Sequence, residues 1–148
     1  MRAECFFDTH VLVYAASSSR ADAVKRARAL KLIEESDFGV SAQVLQEFYV
    51  TVTRKFQKAV APEAAIALME AYRVFPTVPT DYPLIVSAVE LSLKHGISYW
   101  DGAIVAAAEV LEADTLYTED LNDGQLYGRV RAVNPFARAS RIMTRKLP

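Results

Sequence analysis

The sequence predicts an α/β sandwich in which helices flank a central parallel sheet. Three observations predict this fold class. Short apolar runs of strand length alternate with segments of helical periodicity, no repeat or linker interrupts the 148 residues, and 52% of the residues are hydrophobic. A chain of this length and composition can bury one substantial core. We therefore expect residues 1–148 to form a single domain.

The chain begins with the apolar run Cys5-Phe6-Phe7, which Asp8 closes. Such a run predicts a buried strand with the carboxylate at its carboxyl end. A helix is expected from Asp22 to about Asp37, with an apolar inner face and basic residues on the other face. The inner positions are Ala23, Ala27, Leu30 and Ile33 or Glu34.

A second short strand, Phe38-Gly39-Val40, is followed by Ser41, a residue that can N-cap a helix. This helix is expected to run to about Phe56. Its apolar face is formed by Leu45, Phe48 and Val52.

The middle of the chain carries signals for two further helices. Pro62 occupies the preferred first turn of one helix. Asp81 caps the other helix, which Gly96 ends. Between these helices, residues 76–79 are expected to form an extended link.

The clearest helix start is Ser98-Tyr99-Trp100-Asp101, which has the spacing of a capping box with Asp in place of Glu. It opens an alanine-rich helix through Leu111. The last predicted strands are Thr115 to Thr118 and Val130 to Val133, and the polar turn Glu119 to Gly124 follows the first of them.

Charge is unevenly distributed along a chain of net charge −1. After Gln125 the chain carries no acid and six basic residues: Arg129, Arg131, Arg138, Arg141, Arg145 and Lys146. Such asymmetry can form a local patch that attracts phosphate, and a merely solvated tail is an equally open alternative. We expect a basic C-terminal extension from about residue 136.

The chain also lacks the features of an exported or membrane protein. No run approaches the roughly 18 apolar residues of a membrane span, and the first residues lack the pattern of a signal peptide. Cys5 is the single cysteine, has no partner and is expected to be a small core residue. These features predict a cytoplasmic protein.

Acidic residues mark one edge of the predicted sheet. Asp8 ends the first strand, Asp120 lies just past the strand 115–118, and Asp101 lies in the first turn of a helix. Because the carboxyl ends of parallel strands and the helix starts meet at one edge, these carboxylates should lie together. Glu47 is harder to place, because it lies at the edge of an apolar helix face. Alternatively, each acid has only a local role as turn former, helix cap or surface residue.

Several carboxylates in one cleft repel each other unless a cation neutralises them. Oxygen ligands suit Mg²⁺ or Mn²⁺. Such ions polarise phosphodiesters and acidify a bound water. No Cys/His cluster predicts a zinc site, since His10 and His95 are isolated in sequence.

Four motifs resemble those of PIN-domain ribonucleases. They are Phe7-Asp8-Thr9-His10-Val11-Leu12-Val13-Tyr14-Ala15, Ser41-Ala42-Gln43-Val44-Leu45-Gln46-Glu47-Phe48, Ser98-Tyr99-Trp100-Asp101-Gly102-Ala103-Ile104 and Leu116-Tyr117-Thr118-Glu119-Asp120-Leu121-Asn122-Asp123-Gly124-Gln125. Their order and spacing hold from residue 5 to about residue 135. The chain most resembles the VapC-type toxins of bacterial toxin–antitoxin pairs.

The resemblance implies a PIN-like three-layer sandwich and a Mg²⁺- or Mn²⁺-dependent endoribonuclease. It also implies a homodimer that a small antitoxin inhibits. By motif, the metal-binding and catalytic residues are Asp8, Glu47, Asp101 and Asp120, and Asp123 is a further metal-ligand candidate. The chain departs from the family pattern at His10, where Asn or Ser is usual, and more mildly at Gly102, where Ala is common.

The implied reaction is hydrolysis, which leaves 5′-phosphate and 3′-hydroxyl ends because water is the nucleophile. Tyr14, Tyr49 and Trp100 are candidates to stack on unpaired bases, although core packing is the expected role of Trp100. The main alternative is a PIN-like protein that binds RNA or a partner without cutting. A haloacid dehalogenase-type phosphatase fits less well, because His10 occupies the position of its second Asp.

Overall fold

The computed structural model describes residues 1–56 and 58–137. Six strands form one sheet in the order β3-β2-β1-β4-β6-β5. The strands are β1 (Cys5–Phe7), β2 (Phe38–Ser41), β3 (Thr77–Val78), β4 (Thr115–Tyr117), β5 (Leu126–Tyr127) and β6 (Val130–Val133). Every pairing is parallel except that between β5 and β6. The predicted α/β architecture with a central, mostly parallel sheet is confirmed.

Six α-helices with defined ends accompany the sheet in the described residues, and residues 135–137 are also helical. The six helices are α1 (Thr9–Ala16), α2 (Ala23–Glu35), α3 (Ala42–Val50), α4 (Pro62–Ala71), α5 (Tyr82–His95) and α6 (Tyr99–Val110). A π-helical segment, Thr51–Lys55, continues α3, and short 3₁₀ turns occupy Arg20–Asp22 and Tyr72–Val74. None of the helices within the described residues is long and apolar enough to cross a membrane.

The predicted helix signals are confirmed at atomic level. The side chains of Ser41, Asp81 and Ser98 accept hydrogen bonds from the backbone N–H groups of Val44, Leu84 and Asp101. Gly96 ends α5 in the left-handed conformation, at φ 63°, where glycine carries no Cβ penalty. These caps fix where α3, α5 and α6 begin.

Aromatic packing fixes β1 at the centre of the sheet. All three residues of β1 are buried. The Phe7 ring stacks on Phe38 of β2 at 4.2 Å between centroids, and Phe38 stacks on Phe75 at 4.1 Å. Burying each such side chain stabilises the fold by roughly 2–3 kcal/mol. The carboxyl end of β1 is therefore a well-anchored place from which to present Asp8.

Gly102 allows a close approach between α5 and α6. A Cβ at this position would lie 2.5 Å from the carbonyl oxygen of Ala88 and 3.2 Å from the Ser92 Cβ. The glycine that departs from the motif pattern is thus explained by local packing. It sets the position of the first turn of α6, next to Asp101.

Most of the predicted inner face of α2 is wrong, although Ile33 packs against the core as expected. Ala23, Ala27 and Leu30 are exposed, whereas Ala29 and Leu32 are buried. Two basic residues that were expected on the outer face instead have polar partners in the protein. Lys25 Nζ donates to the Tyr14 hydroxyl and to Glu119 Oε2, each at 3.0 Å, and Arg26 Nη1 donates to the Ser17 carbonyl at 2.9 Å.

Three smaller differences concern elements that are short or weakly patterned. Residues 76–79 were expected to form a link, but Thr77–Val78 pairs with β2 as an edge strand. Neither α1 nor the two-residue β5 was predicted. The expected basic extension from about residue 136 falls largely on residues 138–148, which lie outside the described part of the chain.

Candidate functional site

The carboxyl ends of β1 and β4 bring the first and fourth motifs together. Phe7 pairs with Tyr117 in register, and the Asp8 N–H donates to the Tyr117 carbonyl at 3.0 Å. Asp8 and Thr118, each the next residue along its strand, therefore lie side by side. This is the sheet edge at which the sequence predicted the acids to meet.

Asp8 is 4% exposed and is the N-cap of α1. Its Oδ1 accepts from the Thr9 N–H at 2.7 Å, and its Oδ2 accepts from the Thr118 hydroxyl at 2.7 Å. Burial raises the pKa of Asp8 to about 6, although these two hydrogen bonds act in the opposite direction. The neighbouring Asp120 also raises this pKa. A buried carboxyl held in this way gains from a nearby cation.

Thr118 links Asp8 to Asp120. While its hydroxyl donates to Asp8, the same oxygen accepts from the Asp120 N–H at 3.1 Å. The Asp120 side chain is 46% exposed, and its Oδ2 lies 3.7 Å from His10 Nδ1. Asp8 is thus the buried carboxylate of this pair and Asp120 the solvent-facing one.

Glu47 joins the same region through two other polar side chains. Its Oε2 accepts from the Thr9 hydroxyl at 2.6 Å, and its Oε1 accepts from Gln43 Nε2 at 3.0 Å. Gln43 also donates to the carbonyl of Trp100, the residue before Asp101, at 3.3 Å. The carboxylate that was hardest to place from sequence therefore lies between α1 and the start of α6.

Asp101 lies in the first turn of α6, and its N–H donates to the Ser98 hydroxyl at 3.0 Å. The N-cap half of the predicted capping box is confirmed. The pKa of Asp101 is raised, first by burial and then by the negative charges of Asp120 and Glu47, against a hydrogen bond with Ser98. The charges of both neighbouring acids therefore act on Asp101. They would not act on a helix cap that was remote from the site.

Asp123 differs from these four acids. Its Oδ1 accepts from the Asn134 N–H at 2.9 Å, which ties the turn after β4 to the end of β6. This contact is a structural role for the carboxylate. A part for Asp123 in metal binding stays a prediction.

Two of the described polar groups lack the partners that burial normally demands. Within residues 1–56 and 58–137, His10 Nδ1 and His95 Nε2 are buried without a hydrogen-bond partner. His10 is the motif departure, and its orphaned nitrogen faces Asp120. The imidazole therefore lies at the rim of the acidic site, next to Asp120.

The oxygen donors suit a hard divalent cation, which is the ion class predicted from sequence. In the described part of the chain, no three His, Cys, Asp or Glu side chains are grouped tightly enough to hold an ion as they stand. The carboxylates of Asp8 and Glu47 instead hydrogen bond to Thr9, Thr118 and Gln43. Burial and the neighbouring negative charges raise the pKa values of Asp8 and Asp101, which is unfavourable electrostatics that a cation would relieve.

Sequence reasoning missed the three linking side chains. Thr9, Thr118 and Gln43 each connect two parts of the site, yet none is itself a strong chemical signal. Their positions in the sequence did offer a signal, because each is a polar residue within four positions of a predicted acid. The prediction that Trp100 packs in the core is wrong, because it is 64% exposed and contacts Tyr99 edge-on at 5.0 Å.

Comparison with known protein families identifies a match over most of the chain. The PIN domain model matches residues 5–125, which include all four predicted motifs. No curated protein sequence matches the chain.

Solved structures of similar fold include three from toxin–antitoxin systems. VapC20 of Mycobacterium tuberculosis, described as a sarcin-ricin loop cleaving toxin, has a TM-score of 0.65 and 19% identity, covering 86% of this chain and 98% of that chain. A toxin–antitoxin complex from Klebsiella pneumoniae has a TM-score of 0.66 and 18% identity, and the match covers 88% of this chain and 97% of that chain. VapBC2 from Rickettsia felis, bound to a DNA fragment from its promoter, has a TM-score of 0.59 and 17% identity. The match covers 88% of this chain and 97% of that chain. At such identities the likeness concerns the fold.

Proposed function

The chain belongs to the PIN domain family, and from that membership we propose that it is a Mg²⁺- or Mn²⁺-dependent endoribonuclease, the toxin of a toxin–antitoxin pair. The observation that carries the proposal is the linked set Asp8, Glu47, Asp101 and Asp120. Thr9 connects Asp8 with Glu47, and Thr118 connects Asp8 with Asp120. The charges of Asp120 and Glu47 raise the pKa of Asp101, which supports its inclusion in the set.

In this proposal the four carboxylates hold the divalent ion and position the scissile phosphodiester. The ion, when bound, would neutralise phosphate charge and lower the pKa of water. Thr118 and Thr9 keep the oxygens of Asp8 and Glu47 oriented. Water adds to phosphorus and releases a proton, the P–O3′ bond breaks, and the 3′ oxygen takes up a proton in exchange. This leaves 5′-phosphate and 3′-hydroxyl ends.

The chemistry is tested by incubating purified protein with RNA, with Mg²⁺ or Mn²⁺ and with EDTA. We expect cleavage only with the divalent ion, and products that a 5′-phosphate-dependent exonuclease degrades. An Asp8→Asn protein is the matched control, since it should fold but not cut. Equal cleavage in EDTA would overturn the metal-dependent mechanism.

The alternative is a PIN-like protein that binds RNA or a partner without cutting. Divalent-ion titration by calorimetry separates the two, because a cutting enzyme should bind Mg²⁺ or Mn²⁺ and lose that binding in Asp8→Asn. A protein that binds RNA but shows no divalent-ion binding that depends on Asp8 would favour the alternative.

We also propose an antitoxin partner and a homodimer. The partner is proposed because solved structures of this fold include toxin–antitoxin complexes. The homodimer is supported by an exposed apolar face on α5, where Ile85, Val89 and Leu93 are 39%, 42% and 79% exposed. Sedimentation of wild-type and Leu93→Glu protein tests the dimer: the substitution should shift a dimer to monomer.

A further inference from the structure

Two adjoining cavities extend from the acidic site along the continuation of α3. The first, about 460 Å³, is lined by Thr9, His10, Glu47, Thr51 and Lys55, among others. It therefore opens directly onto a residue of the predicted catalytic set. Its far end is Lys55, an exposed cation.

The second cavity, about 620 Å³, continues from the same lysine. It is lined by Ser17, Ser18, Ser19, Lys55, Phe56 and Lys58, together with Arg20 and Asp22. Because Lys55 lines both cavities, they adjoin at this residue. We call the two cavities together the Lys55 track.

The local helix geometry places Glu47, Thr51 and Lys55 in a row. They are spaced four residues apart, so they share one side of α3 and its π-helical continuation Thr51–Lys55. Eight residues of helix span on the order of 10 Å. At the roughly 3.4 Å rise of a stacked strand, this distance corresponds to about three nucleotides.

The charges of the outer cavity favour an anionic ligand. Arg20, Lys55 and Lys58 are exposed, and within the described residues none of them forms an ion pair. The cavity has one carboxylate, Asp22, which accepts from the Ser17 hydroxyl at 2.6 Å. The three cations outnumber this carboxylate, so the lining carries a net positive charge.

The chemistry of the track also distinguishes among anions. Phe56 is half-buried at the wall of the outer cavity, where its ring can stack on a base. Cations that follow a backbone beside an aromatic platform are the usual means of binding single-stranded nucleic acid. An acidic protein segment would use the cations but would have less use for the ring.

We infer that Arg20, Lys55, Lys58 and Phe56 bind the single-stranded RNA segment next to the scissile phosphodiester, with the cations on its phosphates. This inference rests on the proposed ribonuclease function and adds where the substrate strand leaves the site. It also assigns the phosphate-holding role to a region that the sequence did not single out, since the predicted basic patch was C-terminal.

The test compares Lys55→Gln/Lys58→Gln with Lys31→Gln/Lys94→Gln, a control with the same charge loss at exposed helix positions. Lys94 is a suitable control because its cavity is also lined by Glu90 and Glu109. Binding of a fluorescent oligouridylate is measured in EDTA over a range of salt concentrations. Thermal melting confirms that all proteins fold.

The track variant should bind more weakly, and the slope of log affinity against log salt should fall in magnitude by about 1.4, or ~0.7 per phosphate contact. The control should keep the wild-type slope. Equal slopes for the track variant and wild type would overturn the inference. An equal loss of RNA affinity in the track variant and the control variant would also overturn it. Binding of polyglutamate is measured in the same way. If the track variant loses polyglutamate binding to the same extent as RNA binding, the RNA assignment is overturned in favour of an acidic protein segment.

Cleavage with Mg²⁺, measured in parallel, separates this inference from the proposed function. A track variant that cuts with a raised KM and an unchanged kcat supports both. Wild-type protein that binds oligouridylate through the track but never cuts RNA would overturn the ribonuclease proposal alone. Normal cleavage with an unchanged salt slope would overturn the track alone.

Discussion

The hydroxyl of Thr118 donates to Oδ2 of Asp8 at 2.7 Å, across the boundary between β4 and β1. Thr118 is 1% exposed, so water cannot readily replace this bond. The contact lowers the pKa of Asp8, opposing the effect of burial. The threonine therefore helps to keep a buried carboxyl ionised at the heart of the site.

We expect Thr118→Val to lower stability by about 1–3 kcal/mol, because Asp8 Oδ2 and the Asp120 N–H both lose a buried partner. Cleavage should also fall, because the Asp8 pKa rises further. Thr115→Val, on the same strand, is the control. Urea denaturation and cleavage-rate profiles against pH check both effects. A variant with normal stability and an unshifted profile would contradict the role of Thr118.

The pKa of Asp8 leads to a pH-dependent prediction. The carboxyl titrates near 3.8 in a free chain and near 6 in the folded one, so between these values the native state binds more protons. Stability should therefore fall as pH rises through this window, by about 3 kcal/mol in total. Asp8→Asn should remove this dependence and be more stable than wild type above the window.

Denaturation of both proteins in EDTA across the same window checks this prediction. Adding Mg²⁺ should restore stability only to the protein that retains Asp8, since a bound cation favours the ionised carboxyl. Parallel pH curves for the two proteins would show that Asp8 has no raised pKa.

Asp101→Asn distinguishes a site residue from a helix cap. As a cap alone, Asp101 contributes only a charge–dipole effect of roughly 0.3–1 kcal/mol, and cleavage should survive its loss. As a site residue it is repelled by Asp120 and Glu47. Metal-free stability should then hold or rise while cleavage and Mg²⁺ affinity collapse, and we expect this second result.

The control is Asp81→Asn, at the N-cap of α5, where the carboxylate bonds to the Leu84 N–H at 3.0 Å. It should lose a little stability and keep its activity. Melting temperature without metal and RNA cleavage with metal are the two measurements. Lower melting of Asp101→Asn together with near wild-type cleavage would make Asp101 a cap.

Lys25→Met tests the cluster that holds the turn after β4. Lys25 bonds to Tyr14 and Glu119, and the Tyr14 hydroxyl donates to Glu119 at 3.0 Å. Because Glu119 precedes Asp120, we expect reduced cleavage and a stability loss of about 1 kcal/mol. Lys31→Met, on the exposed side of α2, should change neither. Cleavage by Lys25→Met at the wild-type rate would show that Asp120 is positioned without this cluster.

The sequence predicted those parts of the structure that depend on local chemistry. Ser41, Asp81, Ser98 and Gly96 mark helix ends because capping needs only neighbouring residues. The buried strand before Asp8 was likewise readable from three apolar residues. Parallel pairing then brought Asp8 to the Thr118–Asp120 turn, as expected.

What the sequence did not predict depends on contacts between distant residues. The orientation of α2 buries Ala29 and Leu32 and brings Lys25 to Glu119, which is 94 positions away in sequence. Glu47 was uncertain because its place depends on Thr9 and on Gln43 bridging to the start of α6. Trp100 was misjudged because an aromatic side chain in a helix's first turn can lie outside the apolar stripe.

The double role of Asp8 has an evolutionary consequence. Its Oδ1 caps α1 through the Thr9 N–H, and the amide oxygen of asparagine can accept the same bond. A single-nucleotide change from Asp to Asn would therefore remove the charge while leaving the helix start intact. The amide nitrogen would take the place of Oδ2, which accepts from the Thr118 hydroxyl, so the change would remove the charge and this one bond. Inactive descendants that carry it would still form α1 and could present the same surfaces to their partners.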